Sequence, residues 1–400
     1  MVAGTRIKGG SVGEVLAAFL KLGCTSFGGP IAHLAYFRRE LVERRKWVEE
    51  AEFAQLLALC QFLPGPASSQ LGFSLGLLRA GWAGAFAAFA AFTLPSAALL
   101  FAFAALLPYL SGGAGEAAIH GLKLVAVAVV AQGVLGMARQ LCPDAPRASI
   151  AAVSAALILA SGHAWMQIVV VVLGAAAGLA LCRSVQPVPG TALHPSYGAA
   201  LGWTLIGLFA VLLFGLPLAA HGRDGLVSVV EAFYRAGALV FGGGHVVLPL
   251  LRETVVAPGW ISDDDFLAGY GAAQAVPGPM FTLAAYLGAR LPGSEGGLLG
   301  ATVALVAIFL PGLLLVAGSL PLWRSIAGRP IAARAVAGVN AAVVGLLGAA
   351  LYDPVWTSAV HAALDVAIAV IAFTLLVAWR ASALVVVLWC VVAALATATI

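Results

Sequence analysis

Continuous apolar stretches about as long as a bilayer is thick recur along this chain and limit the folds open to it. The run from Ala199 to Ala220, for example, contains no charged residue, and about 20 apolar residues suffice for a helix to cross the hydrocarbon core. Of the 400 residues, 62% are apolar and 10% are charged, whereas roughly 25% of a soluble domain is charged. This composition excludes a cytosolic enzyme, a nucleic-acid-binding protein and a disordered chain. Because the apolar runs are continuous rather than alternating, an outer-membrane barrel is disfavoured, and we expect an all-α polytopic membrane protein.

The two halves of the sequence resemble each other. The segment Phe19–Leu34 aligns with Phe233–Leu248, which matches Phe27-Gly28-Gly29 with Phe241-Gly242-Gly243. After a shift of one residue, Pro64-Gly65-Pro66 aligns with Pro277-Gly278-Pro279. Other matched pairs are Trp47 with Trp260, Gln61 with Gln274, Gly84 with Gly300 and Pro95 with Pro311. Matches at a near-constant offset indicate an internal duplication, with an N-terminal repeat at 1–183 and a C-terminal repeat at 225–400.

A proline-containing linker and the single apolar run Ala199–Ala220 occupy residues 184–224 between the repeats. If each repeat crosses the membrane an even number of times, this extra span starts the second repeat on the opposite side, and the repeats are inverted. We read Val12–Phe37 and Phe53–Leu78 as broken segments that return to their own side, for roughly 11 to 13 membrane segments in all. Full crossing by these segments is the less favoured alternative.

The basic residues give the expected orientation of the chain. With the broken segments read as re-entrant, most of the 21 Lys and Arg fall on one face, which the positive-inside rule makes cytoplasmic. Full crossing would instead turn Arg38 to Lys46 outwards. We therefore expect a multi-pass membrane protein with a cytoplasmic N-terminus and an external C-terminus.

Clusters of Gly and Pro interrupt the apolar segments at corresponding places in the two repeats. Proline lacks the backbone donor and clashes with the preceding helical turn, and broken helices are tolerated at membrane depth only inside protein or beside water. Paired breaks in two halves indicate a transporter binding site. Each break starts a half-helix whose first N–H groups are free and whose dipole end is positive, so four such ends would form an anion-binding cradle. The break residues are Gly28, Gly29, Pro30, Pro64, Gly65, Pro66, Gly242, Gly243, Gly244, Pro277, Gly278 and Pro279.

Polar side chains beside the breaks are further candidates for substrate binding. Lys21 and Arg235 occupy equivalent positions in apolar runs, shortly before the first break of each repeat. A cation there is costly and is a functional candidate by default, although both side chains could instead reach the membrane interface. The remaining candidates, which alternatively bond only their own or a neighbouring helix, are Ser26, Gln61, Ser68, Gln274 and Thr282.

Coupling to protons requires a titratable group near the site. His33 and His245 follow the first breaks of the two repeats, and histidine changes its charge near neutral pH; alternatively, each is a structural polar residue. Glu40 and Glu253 match in the repeat alignment, each preceded by Arg, which also fits a surface ion pair at a helix end. The five cysteines form no C-x-x-C pair, so we expect buried apolar cysteines, no metal and no cofactor.

The segment Phe27-Gly28-Gly29-Pro30-Ile31-Ala32-His33, followed by Trp47 and Pro64-Gly65-Pro66, resembles the signature of the chromate ion transporter family in its long-chain, two-half form. Phe241-Gly242-Gly243-Gly244-His245 and Pro277-Gly278-Pro279 resemble its weaker second repeat, so the resemblance spans nearly the whole chain. The resemblance implies oppositely oriented halves and an inner-membrane carrier that exports chromate, is driven by protons and gives chromate resistance. Gly244 stands where the first repeat has Pro30, so the two broken segments need not act alike.

Several alternatives stay open at this level. Chromate and sulfate are both tetrahedral dianions, so sulfate or another oxyanion is an alternative substrate. A passive anion channel would share the half-helix ends, but inverted halves favour an alternating-access carrier. An enzyme has only Gly72-Phe73-Ser74-Leu75-Gly76 in its favour, and glycines at this spacing in an apolar helix indicate close helix packing instead. The expected partners are the anion, protons and lipid, with no nucleic acid, and a homodimer is left open.

Overall fold

The computed structural model describes residues 9–110, 112–161, 166–186, 193, 195–222, 225–242, 244–323, 325 and 328–398. Within these ranges every ordered element is a helix and no strand is present, so the expected all-α fold is confirmed. Gly243, one of the candidate residues, lies outside the described ranges. The helical segments long and apolar enough to cross a membrane are Ala67–Leu110, Gly113–Leu141, Ala199–Ala220, Gly297–Leu322 and Pro330–Ala359.

The helices of the second half follow the same order as those of the first. The first half contains α1 Val12–Thr25, α2 Gly29–Phe37, α3 Glu50–Phe62, α4 Ala67–Leu106, α5 Gly113–Leu141, α6 Ala145–Ser161 and α7 Met166–Leu181. The linking helix is α8 Ala199–Ala220. The second half contains α9 Leu226–Ala238, α10 Val247–Val255, α11 Asp263–Ala275, α12 Leu283–Ala289, α13 Gly297–Ser319, α14 Pro330–Ala350, α15 Ala363–Val377 and α16 Ala383–Thr397.

Helix α4 corresponds to two helices of the second half. Ala80 and Gly81 have non-helical dihedrals and divide α4 into an early and a late part, which match α12 and α13. Glycines let α1 and α9 approach the long helices closely. A Cβ atom on Gly23 would lie 2.6 Å from the Ala91 carbonyl oxygen of late α4, and Gly237 meets the Ile308 carbonyl of α13 in the same way.

The broken segments of the first half start and end on one side of the molecule. Glu14 lies in the first turn of α1, Trp47 lies between α2 and α3, and Arg79 lies at the end of early α4. The Trp47 indole donates to Glu14 at 2.9 Å, and the Arg79 guanidinium donates to it at 3.0 Å. The pairs α1/α2 and α3/early α4 are therefore re-entrant hairpins with their Gly/Pro tips inside the protein.

Two contacts between the halves establish their relative orientation. Helix α3 begins on the side where late α4 begins, and α5 begins on the opposite side after late α4 has crossed. Lys123, in the first half of α5, is ion-paired with Asp264 in the first turn of α11. The Trp323 indole, just after α13, donates at 3.0 Å to Gln55 in the first half of α3. Because α3 and α11 are counterparts that begin on opposite sides, the two halves are inverted, as expected.

The halves also interlock through their C-terminal helices. Helix α5 packs on α15 and α16, and its counterpart α14 packs on α6 and α7. Gly174 and Gly178 of α7 lie directly against Gly338 of α14, which is the close packing that their four-residue spacing favours. This exchange joins the two repeats into one core and brings their hairpin tips together.

Candidate functional site

The helix breaks of the two halves meet and are hydrogen-bonded to one another. The Gly65 N–H donates a hydrogen bond of 2.7 Å to the Val240 carbonyl, and the Gly278 N–H donates one of 2.9 Å to the Ser26 carbonyl. Ser26 and Val240 are counterparts, since each directly precedes the Phe-Gly-Gly of its repeat. Each Pro-Gly-Pro therefore bonds the backbone before the other repeat's Phe-Gly-Gly. We call this region the junction; it consists of Ser26–Gly29, Pro64–Pro66, Val240–Gly242 and Pro277–Pro279.

The glycines of the junction have backbone conformations that other residues rarely adopt. The φ angles are 99° at Gly28, 77° at Gly29, 121° at Gly65, 77° at Gly242 and 102° at Gly278, and only glycine enters this left-handed region cheaply. Space is also restricted at the two Pro-Gly-Pro tips. A Cβ atom on Gly65 would lie 3.0 Å from the Gly312 Cα, and one on Gly278 would lie 2.7 Å from the Ser96 Oγ.

The helix starts at the junction differ between the halves. In the first half, α2 begins at Gly29 and α4 at Ala67, directly after the breaks. In the second half, the 3₁₀ turns Gly244–Val246 and Met280–Thr282 precede α10 and α12. The expectation of a half-helix directly after each break therefore holds only for the first half. Pro30 lies in the first turn of α2, where its fixed φ favours an α-helix, whereas Gly244 provides no such restraint.

Buried polar atoms without hydrogen-bond partners among the described residues concentrate around the junction. A buried polar atom left unpaired costs about 1–3 kcal/mol, and native proteins contain few of them. A group of such atoms therefore marks a place where a ligand or water completes the hydrogen bonding. The atoms at or beside the junction are Ser26 Oγ, His33 Nε2, Ser69 Oγ, Gln70 Oε1, Thr93 Oγ1, Gln274 Nε2 and Asn340 Oδ1.

Gln70 holds the first Pro-Gly-Pro against α13. Its Nε2 donates to the Pro64 carbonyl at 2.9 Å and to the Gly312 carbonyl at 3.0 Å. Sequence reasoning missed Gln70, Ser69 and Thr93. Their positions in the sequence could have identified them. Ser69 and Gln70 lie in the first turn after Pro66, and Thr93 lies just before Pro95 in an otherwise apolar helix.

The other predicted polar candidates have unequal environments. Gln274 is buried at the end of α11, but its counterpart Gln61 is exposed, so the two amides do not act as a symmetric pair. Ser68 is buried with its Oγ 3.4 Å from His33 Nδ1. The Thr282 hydroxyl donates to the Pro279 carbonyl at 2.7 Å, which is the local backbone bond that we gave as the alternative.

Both histidines lie beside a break but have different partners. His33 is fully buried, and the edge of its ring meets Phe92 at a centroid distance of 5.4 Å. His245 Nδ1 lies 2.8 Å from the hydroxyl of Tyr270, a fully buried residue of α11. Each histidine therefore links a broken segment to a helix that packs on the junction.

Lys21 lies beside Glu40, Arg44 and Arg45 rather than at the junction. Its amine lies 2.9 Å from the Glu40 carboxylate, which also accepts hydrogen bonds from Arg44 and Arg45. Burial raises the pKa of Glu40, but the hydrogen bonds from Arg45, Lys21 and Arg44 outweigh it and lower the pKa to about 2. Glu40 is therefore ionised at neutral pH. Its counterpart Glu253 is partly exposed near the end of α10.

Arg235 lies in a cavity of about 320 Å³ on the side where the second half begins. Its guanidinium is ion-paired at 2.9 Å with Glu231, one turn earlier on α9. The cavity is also lined by His221, Thr254 and Trp260. Arg235, like Lys21, is thus neutralised by a carboxylate, and neither cation contacts the junction glycines.

The Gly-x-Ser-x-Gly string lies within early α4. The Ser74 hydroxyl donates to the Gln70 carbonyl at 2.8 Å, Gly72 packs on the Phe19 ring and Gly76 packs on Gly84. This is a helix-packing arrangement, and it lacks the strand-to-helix turn that exposes a nucleophilic serine.

Comparison with known proteins agrees with this architecture. A family model described as "Chromate transporter" matches residues 13–179 and 227–397, one match in each half. A probable chromate transport protein of Synechococcus elongatus is 31% identical over 345 residues, 85% of this chain and 84% of that protein. The chromate transport protein of Pseudomonas aeruginosa is 29% identical over 343 residues, 85% of this chain and 80% of that protein. No solved structure matches the chain. With both halves matched and a relative above 30% identity over most of its length, the chain belongs to the chromate transporter family.

Proposed function

We propose that this protein exports chromate across the inner membrane, that the flux is coupled to protons, and that the activity gives chromate resistance. Membership of a transporter family supports transport over an enzymatic role. The observation that carries the proposal is the pair of hydrogen bonds from Gly65 to Val240 and from Gly278 to Ser26, because it gathers the four helix breaks in one place.

The junction suits a dianion because it offers many donors without a fixed full charge. The half-helix starts present backbone N–H groups with partial positive charge. The hydroxyls of Ser26, Ser69 and Thr93 and the amide nitrogen of Gln274 can each donate a hydrogen bond, and each has a buried atom without a partner among the described residues. A tetrahedral oxyanion has four oxygens, so it can accept from donors that arrive from both halves.

Inverted halves with a site between them support alternating access. Rocking of one half against the other would expose the junction first to one side and then to the other. The reciprocal hydrogen bonds give this motion a symmetric pivot, since each tip is held by the backbone of the other half. A rigid channel would have no need for such a pair.

We assign proton coupling to His33 and His245, because both lie beside a break and histidine titrates near neutral pH. Glu40 is a weaker candidate, since its low pKa keeps it ionised. Glu253 is partly exposed near the end of α10. Protonation of either histidine would add positive charge beside the junction and change its affinity for a dianion.

Uptake of radiolabelled chromate into everted membrane vesicles tests the proposal. Export from the cell corresponds to accumulation inside these vesicles, so an acidic interior should drive chromate in and a protonophore should abolish accumulation. Vesicles carrying the Gly65→Val variant at equal expression are the matched control, because this change blocks the tip of one hairpin.

The outcomes separate the alternatives. A passive channel would equilibrate chromate without accumulating it and would move no protons against their gradient. Unlabelled sulfate that competes as well as unlabelled chromate would make the protein a general oxyanion carrier. Accumulation driven only by an alkaline interior would reverse the proposed direction.

A further inference from the structure

The cavity around Arg235 is separate from the junction and has its own chemistry. It has a volume of about 320 Å³, which leaves room for an oxyanion of five heavy atoms with part of its hydration shell, given about 30 Å³ for each water. Arg235 is 41% exposed in this cavity, while the Glu231 carboxylate is 14% exposed. A guanidinium is the side chain best suited to bind an oxyanion through two parallel hydrogen bonds.

Among the residues that the structure describes, the first half has no equivalent of this arrangement. The position that corresponds to Glu231 is Ala17, and Lys21, the counterpart of Arg235, is paired with Glu40 on a different segment. Arg44 and Arg45 also contact Glu40, so that carboxylate is shared among three cations. Glu231 instead lies on the same helix as Arg235, one turn away, inside a cavity.

We propose that this cavity is a second oxyanion site on the outer side of the protein, in which Glu231 competes with the anion for Arg235. This inference rests on the proposed function only for the identity of the substrate. When the site is empty, Glu231 neutralises Arg235. An arriving dianion must displace this carboxylate, and the return of the carboxylate to Arg235 helps to expel the anion, which suits a site from which substrate is released.

The competition predicts a dependence on pH with a definite sign. Protonation of Glu231 removes its charge and frees Arg235, so the dianion binds more tightly as the pH falls. Among the described residues, the other titratable group that lines the cavity is His221, at the end of α8. Protonation of His221 would also favour the anion, so a His221→Gln variant is needed to separate the two contributions.

Protection of an introduced cysteine measures binding in the cavity alone. Ser228 lines the cavity and is partly exposed, so a Ser228→Cys variant can be labelled with a thiol reagent at increasing sulfate concentration. Sulfate is the probe because chromate oxidises thiols. A Ser294→Cys variant is the matched control, since Ser294 is exposed on the same side and does not line the cavity.

The expected results distinguish competition from a general effect of charge. Sulfate should slow labelling of S228C but not of S294C. Adding Glu231→Gln should lower the half-protecting sulfate concentration roughly fivefold, the upper end for a partly exposed ion pair. It should also weaken the pH dependence, which His221→Gln should leave largely in place. Glu253→Gln should change neither, and Arg235→Ala should abolish protection.

The proposal is overturned if E231Q leaves the half-protecting concentration unchanged or if Arg235→Ala remains protected. Because Arg235→Ala could disturb folding, monodispersity in detergent is checked, and the E231Q result decides the matter independently. If sulfate protects S228C but the vesicles do not transport chromate, the second site is supported and the proposed function is rejected. If the vesicles transport chromate but sulfate does not protect S228C, the proposed function is supported and the second site is rejected.

Discussion

The backbone N–H of Gly65 lies 2.7 Å from the carbonyl oxygen of Val240, although the two residues belong to different repeats of the chain. The same bond recurs between Gly278 and Ser26 at 2.9 Å. Two tips that each bond the other half tie the hairpins together through the backbone. Substitutions at these glycines therefore test the architecture and the site together.

Gly65→Ala should strongly reduce chromate accumulation in everted vesicles. The added Cβ atom would lie 2.9 Å from Gln70 Nε2 and 3.0 Å from the Gly312 Cα, in addition to the strain of a φ near 121°. Gly81→Ala is the matched control, because its φ is 64° but no atom lies within 4 Å of the added Cβ. Both variants place a side chain at a positive φ that costs roughly 1–3 kcal/mol, so equal losses of transport would show that the tip has no special role.

Gln274→Leu should make the protein more stable and less active. The Gln274 amide nitrogen is buried without a partner among the described residues, and removal of such a group relieves a cost of about 1–3 kcal/mol. We expect a higher melting temperature in detergent and a loss of chromate uptake. Gln61→Leu, at the exposed counterpart, should change neither, and a Gln274→Leu protein with normal uptake would remove this amide from the site.

Ser69→Ala should reduce chromate uptake, whereas Ser74→Ala should leave it near the wild-type rate. Both serines are buried in early α4, but only the Ser74 hydroxyl is satisfied, by the Gln70 carbonyl at 2.8 Å. The comparison holds helix and burial constant and varies the availability of the hydroxyl. Uptake is measured at equal expression, and a larger loss for Ser74→Ala would contradict the assignment.

The ion pairs of Glu40 with Lys21, Arg44 and Arg45 should stabilise the folded protein in a pH-dependent way. The pKa of Glu40 is lowered from 4.5 to about 2 in the folded protein, so its stabilising contribution is complete above about pH 4.5 and is lost as the pH falls towards 2. The melting temperature of the wild type should decline across this window, and Glu40→Gln should flatten that part of the profile. Glu43→Gln is the control, since that carboxylate is 55% exposed and 3.7 Å from its nearest cation. Identical profiles for wild type and E40Q would reject the ion-pair account.

The Lys123–Asp264 pair should respond unequally to loss of either partner. Lys123 is only 8% exposed, whereas the Asp264 side chain is 69% exposed. Asp264→Asn leaves a buried ammonium without its counter-charge, and this costs more than Lys123→Met, which replaces the cation with an apolar chain of similar shape. Thermal unfolding of both variants and of the double variant measures the difference, and the reverse order would contradict it.

Much of this protein follows from short stretches of sequence, because helix length and helix breaks depend on neighbouring residues. The apolar runs predict the spans, and the Gly/Pro clusters predict where α1 and α3 end. The repeat alignment and the odd linking helix predict the inversion. These features rest on backbone chemistry, namely the missing donor of proline and the left-handed φ of glycine, which residues such as Pro66 and Gly28 carry wherever they lie.

The environment of each polar side chain was decided only by the tertiary structure. Gln61 and Gln274 are equivalent in sequence, yet one is exposed and the other is buried. Gln70 gains its role from Gly312, which lies 242 positions further along the chain. Lys21 and Arg235 align, but different carboxylates neutralise them. Burial and pairing depend on groups brought together by packing between helices, and a sequence read locally carries no record of which groups those are.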